Sequence, residues 1–121
     1  MTGDMRVLDR SAIVALFAGH RWLDELVKAA RRGQATLILP TTAMADAEAE
    51  LAAGNSGWEG VLLSEGVRSL SLTEHTAIEI GQWPGELSTR QAVHEARALR
   101  TAVVTTEPRR YRGLPVTLNV I

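Results

Sequence analysis

Apolar residues along this chain fall into short continuous runs, separated by longer stretches in which they recur at helical spacing. Met5-Arg6-Val7-Leu8 reads as a short buried strand. The run from Ala12 to Ala18 reads as a helix stopped by Gly19, with Asp9 or Ser11 placed to cap its unpartnered N–H groups. Trp22, Leu23, Leu26, Val27 and Ala30 predict a helix over 22–32, ended by Gly33. Ala35-Thr36-Leu37-Ile38-Leu39 predicts a second strand closed by Pro40. Thr41 or Thr42 then caps a helix to about Ala53, and Gly54-Asn55 ends it. A short helix is expected around 58–63. Val67 to Leu72 alternates like a strand, and Thr73 opens a helix over 74–83 that Pro84-Gly85 breaks. Ser88 is expected to cap a helix to about Leu99. Ala102-Val103-Val104-Thr105 and residues 116–121 read as the last two strands.

Strands that alternate with helices favour parallel pairing through crossover connections. The expected fold is therefore a single α/β domain over residues 1–121, built on a parallel sheet. Neither an internal repeat nor a linker interrupts it. The apolar fraction of 45% and charged fraction of 22% suit a chain that builds its own core. A formal charge of -1 gives no global basic field for nucleic acid, and the bias to twelve Arg over one Lys does not change that. No apolar run is long enough to span a bilayer, and Met1 to Arg6 lacks the apolar core of a signal peptide. The expected setting is thus the cytoplasm, with no membrane partner. Cysteine is absent, which removes disulfides and thiolate metal sites.

Ligands of open α/β sheets bind beyond the carboxyl ends of the strands. Asp9 directly follows the first strand, Asp46 lies one turn into the helix after the second, and Glu107 stands two residues after Thr105. Converging carboxylates of this kind suit Mg²⁺ or Mn²⁺, ions that activate water and stabilise a displaced phosphate. Each acid also admits a plain structural role. Asp9 can be only a helix cap, Asp46 a solvated helix acid near Glu48 and Glu50, and Glu107 a first-turn acid. Arg109, Arg110 and Arg112 around Tyr111 offer forks for phosphate and a ring for a base, or simply form a solvated basic turn. Trp22, Trp58 and Trp83 read as core or interface anchors. His94 and Glu95, in mid-helix, read as surface residues.

Three stretches carry a resemblance. Val7-Leu8-Asp9-Arg10-Ser11-Ala12-Ile13 resembles the opening of a PIN domain, where a strand ends in Asp-x-Ser and an apolar helix follows. Leu39-Pro40-Thr41-Thr42-Ala43-Met44-Ala45-Asp46 is similar to the family's second motif, an acid six positions after a strand-ending Pro. Val103-Val104-Thr105-Thr106-Glu107 is similar to its last. The order and length match the compact toxin ribonucleases of that family. The resemblance implies a PIN-like three-layer α/β/α sandwich with a mostly parallel sheet, and a metal-dependent endoribonuclease of the toxin–antitoxin type. It implies Asp9, Asp46 and Glu107 as catalytic and metal-holding acids, Ser11 and Thr105 as supports, and Mg²⁺ or Mn²⁺ as cofactor. Its implied partners are RNA, a small antitoxin protein and a second copy in a homodimer.

The sequence departs from that pattern in one consequential place. The family's third acid would stand near Thr89, which is uncharged. Glu86 and Glu95 are the nearest acids, one before the helix and one about two turns inside it, and no Asp occurs after Asp46. Each missing carboxylate removes charge that offsets the cation, so weakened or lost nuclease activity is expected. The alternative is a PIN-like module that binds RNA or a partner protein without cutting. A phosphoacceptor module is disfavoured, because Ser71-Leu72-Thr73 supplies no Asp and the sole Lys is Lys28. Neither a Gly-x-Ser-x-Gly elbow, a P-loop nor a Gly-x-Gly-x-x-Gly run is present.

Overall fold

The computed structural model describes residues 4–121; the part of the signal-peptide reading that falls on Met1 to Gly3 lies outside them. The elements follow in the order β1 (Asp4–Leu8), α1 (Arg10–Phe17), α2 (Arg21–Arg31), β2 (Ala35–Pro40), α3 (Thr41–Leu51), α4 (Gly54–Leu62), β3 (Val67–Leu70), α5 (Glu74–Ile80), α6 (Leu87–Ala98) and β4 (Ala102–Thr105). A 3₁₀ turn (Pro108–Tyr111) and β5 (Leu118–Val120) complete the chain. The five strands form one all-parallel sheet in the order β3-β2-β1-β4-β5. Helices flank the sheet, giving a three-layer α/β/α sandwich. No described helix is long and apolar enough to cross a membrane.

The continuous apolar runs are explained by burial on both sides. Successive strand residues point to opposite faces. Leu8, Leu37, Leu39 and Val104 pack on one face with Ile13, Leu23 and Trp58, while their neighbours Val7, Ile38 and Val103 pack on the other with Ala92, Val93 and Ala96 of α6. Within the described residues, Trp58 is buried against this core, whereas Trp22 is exposed and Trp83 lies partly buried beside α6.

Three boundaries differ from expectation for physical reasons. Gly54 does not terminate helical structure; after a left-handed Ala52 it starts α4. Neither Thr41 nor Thr42 caps α3, whose N-cap is Pro40 without a side-chain bond. The free N–H of Thr42 is instead bonded at 3.1 Å by the Oε1 of Gln91, reaching across from α6. Ser88 likewise does not cap α6; it sits inside the helix and is buried, and the N-cap is Glu86. The expected caps at Asp9 and Thr73 are present, accepting from Ala12 N–H at 2.9 Å and Thr76 N–H at 3.2 Å.

Candidate functional site

From β1 the chain builds outward through β2 and β3, then crosses to the other side of β1 for β4 and β5. The switch in direction therefore lies between β1 and β4, where a parallel sheet opens a crevice at the carboxyl ends of its strands. Asp9 stands at the end of β1 and Thr105 at the end of β4, and the Asp9 N–H is bonded to the Val104 carbonyl at 3.2 Å. The pairing thus fixes Asp9, Ser11 and Thr105 relative to one another before any side chain is considered.

Asp9 is only 4% exposed. Its Oδ1 accepts from the Ala12 N–H at 2.9 Å and from the Ser11 hydroxyl at 2.7 Å. Because an ionised carboxylate only accepts, Ser11 spends its single proton there. It follows that Thr105 donates across the 3.2 Å separating the two hydroxyl oxygens. The Ser11 oxygen also accepts from the Thr106 N–H at 2.9 Å, and the Thr105 oxygen from the Glu107 N–H at 2.8 Å. A closed hydrogen-bonded knot thereby ties the start of α1 to the end of β4.

The second oxygen of Asp9 is also engaged. The 3₁₀ turn folds Tyr111 inward until its ring is 3% exposed, and its hydroxyl donates to Asp9 Oδ2 at 2.7 Å. Burial first, and then the negative charge of Asp9, push the Tyr111 phenol well above its ordinary range. The hydroxyl is therefore a fixed donor at neutral pH. A ring this buried has no open face for base stacking, so the stacking role expected for Tyr111 does not fit its position.

Glu107 is held by cations. Arg10 Nη2 lies 3.1 Å from both carboxylate oxygens, and Arg110 Nε lies 3.1 Å from Oε1. Arg110 also contacts Glu86 at 2.6 Å, and that bond is the main reason its guanidinium is held above its ordinary value. Arg110 is thus tied between two acids, while Arg109 and Arg112 are exposed and make no ion pair within the described residues. A cleft of about 130 Å³ lies beside this network, lined by Arg10, Ser11, Val14, Glu50, Thr106 and Glu107.

Asp46 lies exposed on α3 and neither lines that cleft nor joins the network around Asp9. Thr89 is buried at 4% exposure in the first turn of α6. Among the described residues, no group of three or more His, Asp or Glu side chains is placed to share a metal ion. The donor set does not fit Mg²⁺ or Mn²⁺. Three of roughly four acceptor sites on Asp9 are already used, and two guanidinium groups compensate Glu107.

Reading the sequence alone missed Gln91. Fully buried, it accepts from Thr42 and donates to the Leu70 carbonyl at 3.1 Å, joining α6 to the carboxyl ends of β2 and β3. It also lies 3.4 Å from Glu95, which is buried at 9% exposure and not on the surface as expected. The available signal was the stripe Ser88, Gln91, Ala92, Glu95, Ala96 at helical spacing, a polar set interleaved with small residues on one inward face. A scan against protein-family models and a search of curated proteins return no match to this chain.

Proposed function

We propose that this protein is a PIN-like module that binds RNA without cutting it, its acid end having become a structural joint. The observation carrying this reading is the state of Asp9. A carboxylate that accepts from a backbone N–H, a serine and a buried tyrosine has both of its oxygens engaged by the protein. Metal-dependent hydrolysis needs such an oxygen open to the cation, and it needs further acids to share the load. Here Glu107 faces Arg10 and Arg110, and Thr89 stands where a third acid would be required. The exposed Arg109 and Arg112 offer phosphate contacts beside the joint, suited to backbone binding without sequence readout.

A second reading, a slow metal-dependent endoribonuclease, draws on one observation. Asp9, Ser11 and Thr105 meet at the switch point of the sheet, where such an activity would sit. The two are separated by incubating the purified protein with a labelled single-stranded RNA in Mg²⁺ and in Mn²⁺. The binding reading expects a shifted, uncut RNA whose shift weakens in Arg109→Ala/Arg112→Ala. Cleavage that requires the metal and disappears in Asp9→Asn would overturn it.

A further inference from the structure

At the end of the strands opposite Asp9, and along the α6 side of the sheet, lie two clefts that meet at Arg97 and Pro115. One, of about 580 Å³, opens between α5, α6 and the 113–115 segment, with Trp83, Pro84 and Leu114 as apolar walls and Glu79 and His94 as polar ones. The other, of about 670 Å³, lies at the start of β4 and just ahead of β5, and is lined by Arg6, Arg97, Arg100 and the threonines 101 and 117. The first is aromatic and largely apolar. The second carries three guanidinium groups and no acid in its lining.

We propose that this pair of clefts is a binding site for a nucleoside phosphate, the base resting against Trp83 and the phosphate held by Arg97 and Arg100. Trp83 lines the cleft while packing partly against the core and beside His94, with ring centroids 6.2 Å apart, so a base stacking on its cleft side would cost little further ordering. Glu79 sits 3.8 Å from His94 at the same wall, and its carboxylate suits the amino group of a base. Arg97 and Arg100 make no ion pair within the described residues, so their forks are open to phosphate oxygens. Arg6 is already engaged, donating from Nη1 to the Met5 carbonyl at 3.0 Å and from Nε to Asn119 Oδ1 at 3.4 Å, with Asp4 3.7 Å away, so it contributes only at the rim and Arg97 and Arg100 carry the phosphate. Apolar wall and cationic pocket side by side match a ligand with a flat ring at one end and an anion at the other. A bare phosphate would leave the Trp83 cleft empty, and a bare nucleoside would leave the arginines unpaired.

Arg100 bears on the same point. It closes α6 in the left-handed conformation at φ 55°, with Thr101 N–H on the Ala96 carbonyl at 2.9 Å, a position that glycine fills with less strain. The chain has an arginine there, at the lip of the cationic cleft. This site stands whether or not the acid end cuts RNA.

The test uses the full protein and reads tryptophan fluorescence and amide chemical shifts on titration with adenosine 5′-monophosphate, adenosine, inorganic phosphate and a short single-stranded oligoadenylate. The proposal expects saturable quenching by the monophosphate, with adenosine and phosphate each weaker by about tenfold or more. Arg97→Ala and Arg100→Gly should each weaken binding by about tenfold, and Arg31→Ala on α2 should leave it unchanged. Arg100→Gly should do so while raising the unfolding midpoint, which separates lost contact from lost fold. If the oligonucleotide binds through the same arginines and displaces the monophosphate, the natural source is a nucleic acid; if only the monophosphate binds, it is a free nucleotide. Absence of saturable binding of both at millimolar ligand, or binding that survives Arg97→Ala and Arg100→Gly together, would overturn the proposal.

Discussion

Replacing Tyr111 with Phe removes one hydroxyl and leaves the ring, so core packing is held constant while the bond to Asp9 is deleted. That bond is 2.7 Å long, joins two residues that are 3% and 4% exposed, and is the one Tyr111 makes to Oδ2. A hydrogen bond to a charged group contributes about 1.5–3 kcal/mol, and a buried acceptor left without its donor loses that in full. Oδ1 keeps its bonds to Ser11 and Ala12, which limits the damage, so a loss of about 2 kcal/mol is expected. For a domain of this size that lowers the thermal midpoint by roughly 7 °C. Urea unfolding of the wild type, Tyr111→Phe, Asp9→Asn and the double variant closes a cycle in which the pair should couple by about 1 kcal/mol or more. A Tyr111→Phe effect under about 0.5 kcal/mol, the size of an ordinary surface change, would refute the claim that Tyr111 closes Asp9.

Gln91→Leu leaves the Thr42 N–H and hydroxyl and the Leu70 carbonyl without their partner, so equilibrium unfolding should register a loss of about 3 kcal/mol. Tyr111 is the single tyrosine, and its neutral form is favoured in the fold. Its contribution to stability is therefore fully present below 10.0, the ordinary phenol value, and drains away above it as the unfolded chain ionises first. Tyrosinate absorbance should stay flat through that value until the protein unfolds, and a reversible rise centred there in folded protein would count against the burial. Ala52 ends α3 in the left-handed region at φ 51° on an exposed position, so Ala52→Gly should raise stability by roughly 0.5–1 kcal/mol in the same unfolding assay.

The sheet was readable because its strands are short apolar runs bounded by turn residues, and burial on both faces demands such runs. Val7-Leu8, Leu37-Ile38-Leu39 and Val103-Val104 feed opposite cores from adjacent positions. Helix ends were less readable where tertiary partners replaced local caps. The Thr42 N–H donates to Gln91, 49 positions away, and no local pattern announces that. Asp9, Ser11 and Thr105 were legible as neighbours because each stands within a few residues of a strand end. What they do together was not legible, since the residue that closes Asp9 is Tyr111, 102 positions along the chain. The acids at 46 and 107 look alike in sequence. In the fold one is solvated and the other is held between Arg10 and Arg110.

Titration of Mn²⁺ into the wild-type protein, followed by the loss of free-ion paramagnetic signal, tests most directly whether Asp9 is closed. A carboxylate already satisfied by Ser11, Ala12 and Tyr111 should take up no ion in the sub-millimolar range, and Asp9→Asn should leave the titration unchanged. One tightly held Mn²⁺ per chain, lost in Asp9→Asn, would contradict the account.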